Sequence, residues 1–77
     1  MTVNLNSIDS VKSFLRCTSK LESDVIVKSG RYTVDGKSLL GLLSLNLNND
    51  VEVDVNDRGG DEHRLKRLLM DHNISYA

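Results

Sequence analysis

Apolar and polar residues alternate in some segments of this chain, and in others the apolar residues recur every three or four positions. Alternation predicts β-strands, because successive side chains of a strand point to opposite faces, and it occurs within 2–6, 24–34 and 51–55. Ser29-Gly30 divides the second segment and predicts a hairpin turn. Helical spacing predicts a first helix after Ser7 and a last helix beginning at Asp61.

Each of these two helices has an apolar face that we expect to be buried. In the first helix, which Asn6 or Ser7 caps, this face consists of Ile8, Val11, Phe14, Leu15, Thr18 and Leu21. In the last helix, which Asp61 caps, it consists of Leu65, Leu68, Leu69 and either His72 or Ile74. The stretch 56–60 is rich in Asn, Asp and Gly and predicts a loop.

A short helix of roughly two turns is predicted after Ser38, whose hydroxyl caps it. Its apolar residues are Leu39, Leu40, Leu42, Leu43 and Leu45. Five leucines in seven positions cover more than one face of a helix, so at least one of them should remain exposed.

The element order is therefore βαββαβα, and we expect one domain over 1–77 in the α+β class. Strands with one apolar face each are satisfied when the helices cover one side of an antiparallel sheet, which is an open-faced two-layer sandwich. The uncovered face should carry Ile26, Lys28, Glu52 and Asp54. The first and third strands would have exposed edges that permit pairing into a dimer.

Composition excludes several classes of function. Ten basic and eleven acidic side chains leave a net charge of −1, without the bias expected of a nucleic-acid binder. No apolar stretch reaches the ~18 residues that a bilayer span requires. We expect a cytoplasmic protein that binds neither nucleic acid nor membrane. Cys17 is the only cysteine; it can form no internal disulfide and should be a half-buried helix residue.

Two segments carry a family resemblance: 19–25, Ser-Lys-Leu-Glu-Ser-Asp-Val, and 37–45, Lys-Ser-Leu-Leu-Gly-Leu-Leu-Ser-Leu. Separated by a hairpin, they resemble HPr, the histidine-containing phosphocarrier of bacterial sugar phosphotransferase systems. The match runs without gaps from about Val11 to Leu45 and continues in pattern through Val55. The resemblance implies the same element order, with the strands arranged 1-4-2-3.

The chain departs from HPr at the phosphoacceptor. HPr proteins begin the first helix with His-Ala-Arg-Pro, and counting back from Ser19-Lys20 places these positions on Ser7, Ile8, Asp9 and Ser10. A serine ester would be too stable to pass a phosphoryl group onward, and Asp9 puts negative charge where phosphate needs positive charge. We therefore interpret Ser7, Asp9 and Ser10 as a degenerate phosphoacceptor region.

We do not expect the two histidines to replace the missing one. His63 and His72 are nine residues apart in the last helix and fall on opposite faces, so they cannot share a metal ion. We assign no catalytic residue, no metal site and no cofactor, and we expect no enzymatic activity.

The resemblance also implies a regulatory site and a docking surface. Ser38 matches the serine that HPr kinase phosphorylates in many HPr proteins. The alternative, which stays open at this point, is that Ser38 serves only as a helix cap. Leu39, Leu40 and Leu43 match the apolar cluster by which HPr proteins bind their partners. Lys12, Arg16 and Lys20 recur at intervals of four and form a basic stripe, which either steers an acidic partner or is simply solvated.

The leading hypothesis is an HPr-like docking protein without the active-site histidine, regulated through Ser38 in carbon catabolite control or sugar phosphotransfer. Its implied partners are HPr kinase, a transcriptional regulator or phosphotransferase-system enzymes, and it would be a monomer or a weak homodimer. Two alternatives remain open: a small-molecule-sensing regulatory domain of the α+β class, and an atypical phosphocarrier that uses another residue.

Overall fold

The computed structural model describes residues 1–57 and 59–77; Arg58, in the predicted 56–60 loop, lies outside the described residues. The strands are β1 (Thr2–Val3), β2 (Val25–Ser29), β3 (Tyr32–Asp35) and β4 (Val51–Val55). The helices are α1 (Ile8–Thr18), α2 (Leu39–Leu43) and α3 (Asp61–Asp71). This is the predicted βαββαβα order.

The strands form one antiparallel sheet in the order β1-β4-β2-β3, which confirms the arrangement implied by the resemblance. In the β2–β3 hairpin, Ser29 lies opposite Tyr32, so the connection is two residues long. Gly30 in this connection has φ +58°, a conformation that glycine adopts without steric cost.

The β1 edge of the sheet, which was predicted to be exposed, is covered. The backbone N–H of Thr2 donates to the Ala77 carbonyl at 2.9 Å, and the Ala77 N–H donates back to the Thr2 carbonyl at 2.8 Å. Val3 and Tyr76 form an antiparallel bridge between the same two segments. The expectation of an exposed β1 edge was therefore wrong, because the segment after α3 returns to pair with β1.

The core lies between the sheet and the helices. Its buried apolar residues are Val3, Leu5, Val11, Phe14, Cys17, Leu21, Val25, Val27, Leu42, Leu45, Val51, Val53, Leu65, Leu69 and Ile74. Two predictions were wrong in detail. Ile8 is 59% exposed rather than part of the inner face, because it occupies the first position of α1. Cys17 is fully buried rather than half-buried.

The other face of the sheet is open, as predicted. Register places Ile26 opposite Asp54, and Lys28 opposite Glu52, so all four residues share this face. The Lys28 ammonium lies 2.9 Å from a carboxylate oxygen of Asp54, and its hydrogen bond and charge lower the pKa of Asp54. Both side chains are about half exposed, so water screens much of this attraction.

Asp61 does not cap α3 as predicted. The N-cap is Gly60, in a left-handed conformation at φ +88°, and it supplies no side chain. Asp57 takes the capping role instead, because its carboxylate accepts a hydrogen bond from the Asp61 backbone N–H at 2.7 Å. The Asp61 carboxylate turns inward and accepts from the Ser23 N–H at 2.9 Å.

The inner face of α3 is otherwise as predicted. Leu65, Leu69 and Ile74 are buried, and Leu68 and His72 are half-buried. Across residues 1–57 and 59–77, every helix is too short or too polar to cross a lipid bilayer.

Candidate functional site

The short helix α2 begins at the predicted cap. The Ser38 hydroxyl accepts a hydrogen bond from the Gly41 N–H at 3.2 Å, and the backbone of Ser38 is extended, as a cap requires. The Ser38 N–H donates to the Asp35 carbonyl at 3.1 Å, which closes the turn after β3. The side chain of Ser38 is therefore held at the start of α2, where the residue is only half-buried.

The leucines of this region divide into two groups. Leu42 and Leu45 are buried in the core, at 0% and 6% exposure. Leu39, Leu40 and Leu43 are exposed by 38%, 81% and 40%, and we call these three the α2 leucine patch. The prediction that at least one leucine stays outside is confirmed, since five leucines within seven positions cannot all face the core from one side of a single short helix.

Three contacts hold α2 in place. At Gly41 an added Cβ would lie 3.2 Å from the Cβ of Val34, so the absence of a side chain lets α2 approach β3 closely. The Thr18 hydroxyl, buried at the end of α1, donates to the Gly36 carbonyl at 2.8 Å. The Lys37 ammonium donates to the Leu21 carbonyl at 2.8 Å. The segment before α2 is thus hydrogen-bonded to the end of α1 and to the residues that follow it, and these contacts position the leucine patch.

The amino terminus of α1 carries Ser7 as its N-cap, one of the two predicted caps. The Ser7 hydroxyl accepts from the Ser10 N–H at 3.1 Å and donates to the Ser10 hydroxyl at 3.0 Å. Asp9 is exposed in the first turn, where its charge favours the positive end of the helix dipole. The Ser7 hydroxyl therefore satisfies a backbone N–H of the helix terminus, and Asp9 contributes only its charge.

The predicted basic stripe is confirmed only in part as a helical feature. Lys12 and Arg16 are exposed on α1, four residues apart. Lys20 is also exposed, but it follows the C-cap Ser19 and so lies beyond the helix. Only Lys12 and Arg16 of the predicted stripe therefore lie on the helix itself.

The histidines and the cysteine lie elsewhere. His63 is exposed on α3, and His72 is half-buried at its C-cap. No group of three or more metal-ligating side chains occurs in the described parts of the chain. Burial raises the pKa of the Cys17 thiol, an effect that outweighs the opposing charge of Lys20.

Sequence reasoning missed the contact between Asp61 and Ser23. The two residues are separated by 38 positions, and nothing local distinguishes an aspartate that caps its own helix from one that binds a distant loop. The available signal in the sequence was Asp57, four residues before Asp61. An aspartate at that position can also accept a hydrogen bond from the first N–H groups of the helix.

These features define a small α+β domain that presents a short apolar helix beside a half-buried serine. The crystal structure of HPr-C-His from Thermoanaerobacter tengcongensis has a similar fold, with a TM-score of 0.73. The similarity covers 91% of this chain and 85% of that one, at 21% sequence identity. A search of curated proteins found no significant match.

The family model described as "PTS HPr component phosphorylation site" matches residues 9–71. The chain therefore belongs to the HPr family of the phosphotransferase system. Proteins of this family act together with the enzymes of that system.

Proposed function

We propose that this member of the HPr family lacks a phosphoacceptor histidine, has no enzymatic activity, and acts by docking onto other proteins through the α2 leucine patch. The observation that carries the proposal is the exposure of Leu39, Leu40 and Leu43 next to Ser38. Exposed leucines gathered on one short helix are typical of a protein-binding surface. Ser38 is proposed as the regulatory phosphorylation site.

The start of α1 supports the absence of a carrier cycle. Ser7 stands where the resemblance places the phosphoacceptor, and its hydroxyl is occupied by Ser10. Asp9 adds a negative charge two residues later, which would repel an incoming phosphoryl group. The chain's imidazoles are His63 and His72, within and at the end of α3.

A phosphate on Ser38 would alter the docking surface. It would add a charge of about −1.5 to −2 directly before Leu39 and Leu40, so an apolar surface would become a mixed one. A partner that buries the unmodified patch would then have to desolvate a dianion, whereas a partner with arginine or lysine beside an apolar pocket would gain a charge-assisted contact. Phosphorylation would thereby exchange one partner for another.

The proposed partners are HPr kinase, which would modify Ser38, and a transcriptional regulator or a phosphotransferase-system enzyme, which would bury the leucine patch. Lys12, Arg16 and Lys20 are exposed and are proposed to steer acidic partners toward the domain. The proposed role is therefore in carbon catabolite control or in regulation of sugar phosphotransfer.

The docking surface is tested by pull-down and calorimetry with these partners. Leu40→Asp should abolish binding, because Leu40 is 81% exposed and is the most exposed residue of the patch. Met70→Asp is the matched control, because Met70 is 64% exposed on α3 and should tolerate the same change without loss of binding. Equal binding by both variants would contradict the docking role, and saturable binding of a small metabolite would favour a sensor instead.

The absence of phosphotransfer is tested with enzyme I and labelled phosphoenolpyruvate, using a histidine-containing HPr as the positive control. This chain should stay unlabelled while the control is labelled. Acid-labile label on His63 or His72 would show an active carrier and overturn the proposal.

The regulatory role of Ser38 is tested with HPr kinase and mass spectrometry. Ser38→Asn keeps a side chain that caps a helix but cannot be phosphorylated, so it separates regulation from stability. The wild-type chain should acquire phosphate at Ser38 and change its partner preference, and Ser38→Asn should do neither while remaining folded. A wild-type chain that the kinase leaves unmodified would reduce Ser38 to a helix cap.

A further inference from the structure

The two edges of the sheet differ. The β1 edge is closed by the segment 75–77, through backbone hydrogen bonds of 2.8 to 3.0 Å. The β3 edge has no strand beside it among the described residues. An open edge presents unpaired N–H and C=O groups to any other chain that can adopt the right register.

The hydrogen-bonding direction of β3 can be read from its partner strand. The Gly36 N–H donates to the Val25 carbonyl at 2.7 Å, so Gly36 faces β2. Because main-chain groups alternate in direction along an antiparallel strand, Val34 and Tyr32 also face β2. The N–H and C=O groups of Thr33 therefore point outward, and no described residue bonds to them.

Asp35 follows Thr33 by two residues and shares its outward direction. Arg31 lies in the turn before β3, and because the Tyr32 N–H faces β2, the Arg31 carbonyl of the same trans peptide unit points outward. The Asp35 N–H points to solvent, although its carbonyl already accepts from the Ser38 N–H at 3.1 Å. All three residues are exposed. The pairing of β3 with β2 is continuous and without a bulge from Tyr32 to Asp35, so nothing in the strand bends its edge away from a partner.

This edge is complementary to itself. If two copies pair antiparallel about a twofold axis at Thr33, Arg31 of each copy lies opposite Asp35 of the other, and Thr33 lies opposite Thr33. On the other face Tyr32 lies opposite Val34. Antiparallel sheets are stabilised by cross-strand pairs of these kinds: opposite charges, two threonines, or an aromatic residue beside a β-branched one.

The backbone groups match the same register. The two Thr33 residues would exchange N–H to C=O hydrogen bonds, and each Asp35 N–H would donate to the Arg31 carbonyl of the other copy. Tyr32, which is 71% exposed in the isolated chain, would lie beside Val34 of the other copy. A register shifted by one residue on one copy would lose both the charge pairs and the matched backbone groups.

We propose that the β3 edge is a homodimer interface in which two copies pair about Thr33 to form one continuous sheet. The contact spans one short strand, so the dimer is weak and forms at high protein concentration. It does not depend on the docking role of α2.

Sedimentation velocity from micromolar to millimolar protein tests the dimer, with amide chemical shifts followed over the same range. The wild-type chain should show concentration-dependent association, with the largest shift changes at Thr33 and Asp35. Arg31→Asp places like charges opposite each other twice in the dimer and should weaken association about tenfold. The double variant Arg31→Asp with Asp35→Arg restores opposite charges and should recover association. Because the Asp35 carboxylate also accepts a hydrogen bond from the Lys37 N–H at 2.9 Å, circular dichroism first checks that this variant is folded.

Two controls separate this interface from others. Arg67→Asp makes the same charge change on an exposed position of α3 and should leave association unchanged. Leu40→Asp tests dimerisation through the leucine patch and should also have no effect. The proposal would be overturned if the wild-type chain stays monomeric at millimolar concentration. It would also be overturned if Leu40→Asp abolishes dimerisation and Arg31→Asp does not.

Discussion

The Asp61 carboxylate in the first turn of α3 accepts a hydrogen bond from the Ser23 backbone N–H at 2.9 Å. The bond joins α3 to the segment between α1 and β2, and Asp61 is only 6% exposed. Hydrogen bonds from the Ser23 hydroxyl and the Ser23 N–H lower the pKa of Asp61 below its usual value of 3.8. The bond therefore makes the stability of the fold depend on acid.

The sign follows from proton linkage. Because the pKa of Asp61 is lower in the folded than in the unfolded chain, its stabilisation is fully present above pH 3.8 and is lost as the pH falls through the folded-state value. Asp61→Asn should lower the free energy of unfolding at neutral pH and flatten its decline in acid. Urea unfolding across this range measures both. Glu62→Gln removes a charge from the same helical turn and should retain the wild-type acid dependence.

Ser38 should contribute to stability through its cap. Ser38→Ala removes the acceptor for the Gly41 N–H and is expected to lower the free energy of unfolding by about 1 kcal/mol. Ser38→Asn should restore most of it. Urea titrations of the three proteins provide the comparison. Equal stability of the Ser38→Ala and wild-type chains would show that the cap contributes nothing to the free energy of unfolding.

The leucines of α2 should differ sharply in their effect on folding. Leu42 is fully buried, so Leu42→Ala should cost about 2–5 kcal/mol, which approaches the total stability of a domain this small. Leu40→Ala should change stability by less than about 0.5 kcal/mol because that side chain is already in water. Thermal melts followed by circular dichroism distinguish the two. Similar losses for both would mean that Leu40 packs against the core.

Gly36 should tolerate no side chain. A Cβ there would lie 2.5 Å from Cγ1 of the buried Val25, and overpacking of this kind costs about 1–3 kcal/mol. The expected result for Gly36→Ala is a lower urea midpoint with an unchanged slope. Ser44→Ala, at an exposed position after α2, serves as a control for a small substitution nearby.

Cys17 should be unreactive in the native protein. The thiol is fully buried and its pKa is raised by burial, so little thiolate is present and reagents have no access to it. Labelling with a thiol-specific reagent should proceed at the rate of unfolding and should be faster in Leu42→Ala. Immediate labelling of the native wild-type chain would contradict the packing of α1.

Alternation and helical spacing were sufficient to predict the element order. Each strand and helix must bury one apolar face, and this requirement fixes the spacing of apolar residues within the segment itself. The Ser38 cap and the exposure of α2 leucines were predictable for the same reason. The first position of α1 was not: Ile8 has the right spacing for the inner face, yet at the helix end there is no core beneath it.

The sequence by itself determined which segments form strands and helices, where α1 and α2 begin, and that α2 has too many leucines for one buried face. Only the tertiary structure decided that Asp61 binds Ser23, that 75–77 covers β1, and that the β3 edge stays open. Those outcomes depend on groups far apart in the chain, whose approach is set by the packing of the whole core and leaves no periodic signal in the residues themselves.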